Sequence, residues 1–172
     1  FLKREYEVKA VILREQEIGD LEAMYRIYQG ETVAKYIEPL NEDWKKEEEY
    51  TRAYIQNMYV FYGYGMWAAV EKATGKIIGK AGLNNRELHG KPSLELGYLI
   101  GEEYQGRGFA TELCEGILQF AREGTEFEEI HCLIEKGNGI SVHLAEKLGF
   151  LWQEELKIQG RDMQRYTKPL QF

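Results

Sequence analysis

The stretch EEYQGRGFATELCEGILQFA, residues 102–121, constrains the fold of this chain more than any other. It follows the apolar, strand-like segment ELGYLI and then changes to helical spacing, with apolar residues every three to four positions. A strand that passes through glycines into a helix presents free amides and the positive end of the helix dipole, and small residues let a bulky anion approach them. The pattern therefore predicts a phosphate or pyrophosphate site at Gly106 and Gly108, to which Arg107 adds positive charge.

Three other kinds of glycine turn compete with this interpretation on the residues alone. A nucleotide-binding P-loop requires Gly-Lys-Ser/Thr, which the stretch lacks. A dinucleotide fingerprint requires a third glycine where Thr111 stands, and it belongs near the first strand of a parallel unit. A turn that only packs a helix onto a strand stays open at this point.

The rest of the chain alternates between helical and strand periodicity. In chain order we predict a strand at 10–15, a helix at 19–30, a loop at 31–43 with room for one helical turn, a helix at 44–63, a hairpin at 64–85, a strand at 93–101, a helix at 106–123, a strand at 128–136, a helix at 138–150, and strands at 151–158 and 162–168. This order predicts one α/β domain over 1–172. Its sheet is mixed and mostly antiparallel, with about seven strands and about four helices on its faces.

Composition narrows the classes of partner and compartment. The net charge of −7 disfavours nucleic acid, which needs a basic surface, and suits a cationic amine. No stretch is long and apolar enough for a membrane span, so we expect no membrane partner. Cys114 and Cys132 lie in apolar patterns without metal-ligand spacing, so we expect no metal, no disulfide framework and a cytoplasmic location.

Several segments together resemble one family. The Q-x-x-G-x-A loop beginning at Gln105, the strand LELGYLI and the segment NGISVHLAEKLGF resemble the GNAT superfamily (Gcn5-related N-acetyltransferases), in its ribosomal-protein N-acetyltransferase branch. The early segments VILRE and GDLEAMYRIY match the opening strand and helix of that branch, so the resemblance spans about 10–168. It implies the GNAT fold, a twisted sheet in which strands 93–101 and 128–135 splay apart.

The resemblance also implies acetyl-CoA as co-substrate and no metal. The pyrophosphate would lie on backbone amides of the loop that Gln105 opens, and the pantetheine arm would pair like an added strand with the strand before it. The residues so implied for cofactor binding are Leu99, Ile100, Gln105, Gly106, Arg107, Gly108, Phe109, Ala110, Thr111, Asn138 and Ser141.

Acetyl transfer to an amine needs a neutral nucleophile and a proton for the departing thiolate. Glu95 matches the strand glutamate of the family, and we interpret it as a base or amine ligand, with a buried structural acceptor or plain exposure as alternatives. Ser141 is the candidate that assists the thiolate, or else a packing residue, while Asn138 is also suited to cap a helix. Ala145 stands where many relatives have a tyrosine acid, which puts that acid in doubt. A Cys132–His143 nucleophilic pair is a further alternative.

The acceptor is expected to be an amine that carries positive charge. Tyr36 and Glu38 lie in the segment that builds the acceptor side in relatives, and Glu95 completes the candidate acceptor residues. Protein N-terminus, polyamine, amino acid and antibiotic-type small molecule all remain open, as do a monomer and a homodimer. We expect direct attack on the thioester in a ternary complex. The alternative is a non-catalytic acyl-CoA-binding module of the same fold.

Overall fold

The computed structural model describes residues 5–171, and within them it has eight strands and five α-helices. Their bounds are β1 Glu5–Val8, β2 Val11–Arg14, α1 Leu21–Gln29, α2 Glu31–Tyr36, α3 Trp44–Tyr62, β3 Met66–Glu71, β4 Ile77–Leu88, β5 Lys91–Ile100, α4 Phe109–Gly124, β6 Glu129–Glu135, α5 Gly139–Lys147, β7 Leu151–Ile158 and β8 Arg161–Pro169.

The strands form one sheet in the order β1-β2-β3-β4-β5-β6-β8-β7. The pairs β1–β2, β2–β3, β3–β4, β6–β8 and β7–β8 are antiparallel, whereas β5 and β6 are parallel, as a crossover through α4 requires. Among the described residues the β5–β6 ladder is confined to the pairs Leu94↔Ile130 and Glu95↔His131. The predicted mixed, mostly antiparallel fold with splayed strands is thereby confirmed, with β1 as an additional strand.

The described residues form two compact units. The first comprises the residues up to Gly82 together with Tyr98–Leu113, and the second comprises Leu83–Gly97 together with the residues from Cys114 onwards. Leu13, Met24 and Ile78 are among the fully buried side chains of the first unit. Those of the second include Leu94, Ile117, Ile130 and Phe150. Each unit therefore has its own apolar core.

The segment predicted as a loop over 31–43 begins with a helix of six residues, α2. The amide of Ala34 donates to the carbonyl of Gly30 at 2.8 Å, which starts the helix directly after α1. The backbone becomes extended at Ile37, which ends the helix, and Pro39 disfavours a return to helical backbone at Glu38, the residue before it. The prediction allowed one helical turn in this segment, and α2 is longer than that turn by about two to three residues.

Helix α3 lies where a helix is predicted at 44–63. Apolar spacing predicts a buried face with Tyr50, Tyr54, Met58 and Phe61, but the buried residues of α3 lie elsewhere. Tyr50 and Phe61 are 67% and 79% exposed, whereas Glu47, Thr51 and Tyr59 are buried. The reason is polar: the Tyr59 hydroxyl donates to the carbonyl of Met66 at 2.6 Å and accepts from the amide of Gln16 at 3.1 Å. Hydrogen bonds, and not apolar spacing alone, set the rotation of this helix.

Candidate active site

The glycine loop, residues 105–111, joins the end of β5 to α4 in the first unit. Gly106 and Gly108 have φ angles of 74° and 84°, a left-handed conformation that side chains disfavour. A Cβ built on either glycine would meet no heavy atom of the described residues within 4 Å, apart from its neighbours in the chain. These glycines are therefore required by backbone conformation, and the surface above them is open to a bulky group.

The amides that follow these glycines are suited to an anion. Glu112 donates its amide to the carbonyl of Gly108 at 3.2 Å, which is the first turn of α4. Phe109, Ala110 and Thr111 precede that bond, so their amides have no acceptor within the helix. The loop thus fits a pyrophosphate by backbone geometry and by the helix dipole.

Gln105 fastens the start of the loop. Its Nε2 donates to the carbonyl of Ile100 at 2.9 Å and to the hydroxyl of Thr32 at 3.0 Å. Its amide group therefore bonds the protein itself, joining the loop to the end of β5 and to α2. The motif position predicted Gln105 as part of the cofactor loop, but its partner Thr32 could not be found from sequence.

Arg107 lies between the two glycines and is held by three side chains. Its Nη2 is 3.3 Å from an oxygen of Glu71, and its guanidinium lies 5.7 Å and 5.1 Å from the ring centres of Tyr104 and Phe109. The side chain is 52% exposed, while that of Glu71 is only 9% exposed. The positive charge predicted for the loop is present, and a buried carboxylate balances it.

Leu99 and Ile100, the residues expected to receive the pantetheine arm, end β5 and have buried side chains. The carbonyl of Ile100 already accepts from Gln105. Their side chains therefore serve the core, and only backbone groups are available for a role in cofactor binding.

Glu95 lies in a carboxylate cluster with Arg86 and His131, all in the second unit. Arg86 Nε donates to Glu95 Oε1 at 2.8 Å and its Nη2 donates to Oε2 at 3.3 Å, while His131 Nε2 is 3.5 Å from Oε1. Three strands supply these residues, and Glu95 and His131 are register partners in the parallel ladder. Sequence reasoning missed Arg86 and assigned His131 no role, because strand register cannot be read from local patterns.

The surroundings of Glu95 keep it ionised. Its side chain is 9% exposed, which rules out the reading of a plain surface glutamate. Burial acts to raise the pKa of Glu95, but the contacts with His131 and Arg86 outweigh it and leave the pKa below its ordinary value. Glu95 is therefore a carboxylate at neutral pH.

Asn138 caps α5 as its position predicted. Its Oδ1 accepts from the amide of Ser141 at 3.3 Å, one turn into the helix. Ser141 is half-buried in the first turn of α5, and Ala145 is buried one turn further on. Ala145, at the position where the family resemblance would suggest a tyrosine acid, is thus a small core residue.

Cys132 and His143, the candidate nucleophilic pair, differ in their exposure to solvent. Cys132 is buried in β6, and burial raises the pKa of its thiol to about 12, with a further contribution from Glu95. His143 is exposed on α5. A thiol with so high a pKa supplies almost no thiolate at neutral pH, which argues against this pair as the nucleophile.

Tyr36 and Glu38, the other candidate acceptor residues, lie at the end of α2 and just beyond it. The Tyr36 ring is half-buried, with Lys35 Nζ 5.3 Å from its centre, and Glu38 is exposed. Both belong to the first unit, and Glu95 belongs to the second.

Residues 5–171 contain no group of three or more His, Cys, Asp or Glu side chains able to hold a metal ion. None of the helices in this range has the length and apolar character that crossing a membrane requires.

Residues 10–151 match the family described as "Acetyltransferase (GNAT) domain". The match covers most of the chain, so the protein belongs to the GNAT acetyltransferase family and is an N-acetyltransferase enzyme.

Two curated relatives come from Bacillus. The protein YkkB of Bacillus subtilis, described as uncharacterized, is 25% identical over 126 residues, which are 72% of this chain and 73% of that protein. The uncharacterized N-acetyltransferase p20 of Bacillus licheniformis is 24% identical over 155 residues, covering 87% and 85% of the two chains. Neither description names an acceptor.

Solved structures agree in fold. A putative GNAT-family acetyltransferase from Bordetella pertussis superposes with a TM-score of 0.79 at 20% identity, covering 96% of this chain and 99% of that chain. The ribosomal L7/L12 α-N-protein acetyltransferase RimL has a TM-score of 0.77 at 14% identity, with coverages of 98% and 96%. A spermidine N-acetyltransferase SpeG chimera from Vibrio cholerae and hSSAT has a TM-score of 0.74 at 23% identity, with coverages of 94% and 96%.

Proposed function

We propose that the protein transfers an acetyl group from acetyl-CoA to a primary amine by direct attack in a ternary complex. The observation that carries the proposal is the glycine loop, in which two left-handed glycines leave the amides at the start of α4 open. Acetyl-CoA supplies an activated thioester when it is bound. Membership of the GNAT family supports the same reaction class.

Cofactor binding is assigned to the loop and the end of β5. The amides of residues 106–111 would hold the pyrophosphate, with Arg107 as the nearby cation and Gln105 as the tie that fixes the loop. The backbone of Leu99 and Ile100 would pair with the amides of the pantetheine arm, as in strand addition. Asn138 and Ser141 at the start of α5 complete the proposed contacts.

Glu95 is proposed to bind and orient the amine and to accept its proton, directly or through water. An alkyl ammonium must lose a proton before it can attack a carbonyl, and an ionised carboxylate stabilises the ammonium until it does. The lowered pKa of Glu95 makes it a weak base that is always ready to accept a hydrogen bond. Ser141 is proposed to donate a hydrogen bond to the sulfur of the departing thiolate, which then takes its proton from solvent, since Ala145 has no hydroxyl to supply one.

The acceptor is proposed to be a small molecule or a protein N-terminus that bears an amine, and the candidate residues for binding it are Tyr36, Glu38 and Glu95. RimL and SpeG, which share the fold, are named for a ribosomal protein and for spermidine. The net charge of −7 supports a cationic amine over nucleic acid. A single domain, a cytoplasmic location and a monomer or homodimer remain predictions.

Ala145 favours a second candidate, a GNAT fold that binds acyl-CoA without catalysing transfer. The alanine is buried and has no hydroxyl that could act as the acid which the family resemblance would suggest at this position. Such a module would bind acetyl-CoA yet release no coenzyme A in the presence of amines.

One experiment separates these candidates. Purified protein is incubated with acetyl-CoA and a panel of N-terminal peptides, polyamines, amino acids and aminoglycosides, and free thiol is measured. Melting temperature is recorded with acetyl-CoA and with NAD, because a ligand of the folded state raises it by mass action. Thiol release with an amine supports the enzyme, and a melting shift without release supports the module. A shift with NAD but not with acetyl-CoA would overturn both.

A further inference from the structure

Arg86, one member of the carboxylate cluster, contacts both carboxylate oxygens of Glu95. Arg86 comes from β4 and approaches Glu95 side-on, with Nε 2.8 Å from Oε1 and Nη2 3.3 Å from Oε2. A guanidinium that meets a carboxylate through two nitrogens fixes the plane of that carboxylate as well as its charge.

The exposed fractions of Arg86 and Glu95 show that it is the charge of Glu95 that depends on the ion pair. Glu95 is 9% exposed, whereas Arg86 is 36% exposed. An ion pair between exposed side chains contributes little, but a carboxylate removed from water protonates unless a cation and hydrogen bonds compensate it. Among residues 5–171, the charged or titratable groups that interact with Glu95 are Arg86 from β4 and His131 from β6, and Cys132 of β6 is influenced by its charge.

We propose that Arg86 is a positioning residue for acetyl transfer: its two contacts hold the carboxylate of Glu95 ionised and in one orientation toward the amine. A carboxylate oxygen accepts more than one hydrogen bond. Oε1 has both Arg86 and His131 beside it, whereas Oε2, whose contact with Arg86 is 3.3 Å long, keeps acceptor capacity. An amine that binds there meets a fixed acceptor. This inference rests on the proposed role of Glu95.

The test uses two variants of the full-length protein. Arg86→Gln removes both the positive charge and the planar guanidinium fork, the pair of nitrogens that contacts both oxygens of Glu95. Arg86→Lys keeps a positive charge without that fork. For each variant, kcat and KM are measured with the best amine of the panel, and the affinity for acetyl-CoA is measured by titration. The Glu95 carboxyl is titrated directly by carbon NMR in protein labelled at glutamate.

In Arg86→Gln we expect turnover to fall about 10- to 100-fold, as a misplaced catalytic group does, with acetyl-CoA affinity unchanged. The Glu95 titration should move to higher pH. Arg86→Lys should restore most of that titration but only part of the turnover. Arg52→Gln, which breaks the exposed pair with Glu48 at 3.0 Å, is the matched control and should change neither.

Wild-type turnover in Arg86→Gln would overturn the proposal, and so would a Glu95 titration that does not move. If Arg86→Gln fails to fold, Arg86→Lys decides, because full turnover in that variant excludes a need for the fork. If the wild-type protein acetylates no amine, the proposed function fails, and the NMR titration alone then tests whether Arg86 sets the ionisation of Glu95.

Discussion

The glycine loop and the carboxylate cluster are built on different principles. The loop depends on backbone conformation. Two left-handed glycines and the first amides of α4 form the proposed phosphate site within seven consecutive residues. In the cluster, three side chains from three strands meet, and none of them is informative without the other two. A site made from backbone groups leaves a motif in the sequence, whereas a site made from long-range side-chain contacts leaves isolated residues.

The two regions should therefore fail in different ways. Damage to the loop should weaken cofactor binding, because its amides are proposed to bind the pyrophosphate. Damage to the cluster should slow the reaction and leave cofactor binding intact, because its carboxylate is proposed to bind the amine.

The largest expected effect tests the cluster side of this contrast. Glu95→Gln should lower turnover by about 10²–10⁴-fold if the carboxylate acts as a base, with little change in acetyl-CoA affinity. Steady-state kinetics and cofactor titration measure the two quantities. The double variant Arg86→Gln/Glu95→Gln controls for the unpaired arginine that the single change leaves. Unchanged turnover with an intact fold would make Glu95 a structural residue and remove the contrast.

The loop side is tested by Gly108→Val. A branched side chain at a φ of 84° strains the loop and fills the space proposed for phosphate, so acetyl-CoA affinity should fall by about 100-fold or more. The readout is the melting shift produced by acetyl-CoA. Gly160→Val in the β7–β8 turn, at a φ of 80°, is the control for backbone strain alone. A full shift in Gly108→Val would exclude the loop as the phosphate site.

A smaller effect is expected at the start of α5. Ser141→Ala should slow transfer by about 5- to 150-fold, since a hydrogen bond to a charged group is worth about 1–3 kcal/mol. Cys132→Ala should retain activity. Both variants should give intersecting lines in double-reciprocal plots. Parallel lines, together with an acetyl group on Cys132 by mass spectrometry, would replace direct attack with an acyl-enzyme.

The smallest expected effect concerns the free energy of unfolding and tests whether the carboxylate cluster stabilises the ionised form of Glu95. Because the pKa of Glu95 in the folded protein is below its ordinary value of 4.5, its ionisation stabilises the fold above that value. This contribution should disappear as the pH falls through the lowered pKa. Urea unfolding midpoints of the wild-type protein and Glu95→Gln, compared at neutral and acidic pH, measure it. An equal pH dependence in both proteins would mean that Glu95 titrates alike when folded and unfolded.

Local sequence signals predicted most of the fold, and the exceptions have physical causes. The order of helices and strands follows from periodicity, and the glycines and Asn138 mark turns and a cap that the structure contains. The length of helix α2 was underestimated as a single turn because six residues are too few for a periodic pattern. The predicted buried face of α3 was wrong because the rotation of this helix depends on hydrogen bonds of Tyr59, one of them with Gln16, which lies far away in the sequence.

The candidate site divides in the same way. Gln105 and the glycines could be found from a motif, but Thr32 and Glu71, which fasten the loop, lie far away in sequence. Glu95 could be found as a charged residue in an apolar strand. Its partners depend on strand order and register, which only the assembled sheet defines.

The burial of both cysteines has a practical consequence for the laboratory. Cys114 has no exposed surface and Cys132 is 7% exposed, so thiol reagents reach neither while the protein is folded. In a colorimetric assay, the coenzyme A released in the reaction should therefore be the thiol that reacts, without a background from the enzyme. The same two cysteines can also report on local opening of the fold. Without substrates, the rate at which a thiol reagent reacts with Cys114 and Cys132 measures how often the core becomes exposed.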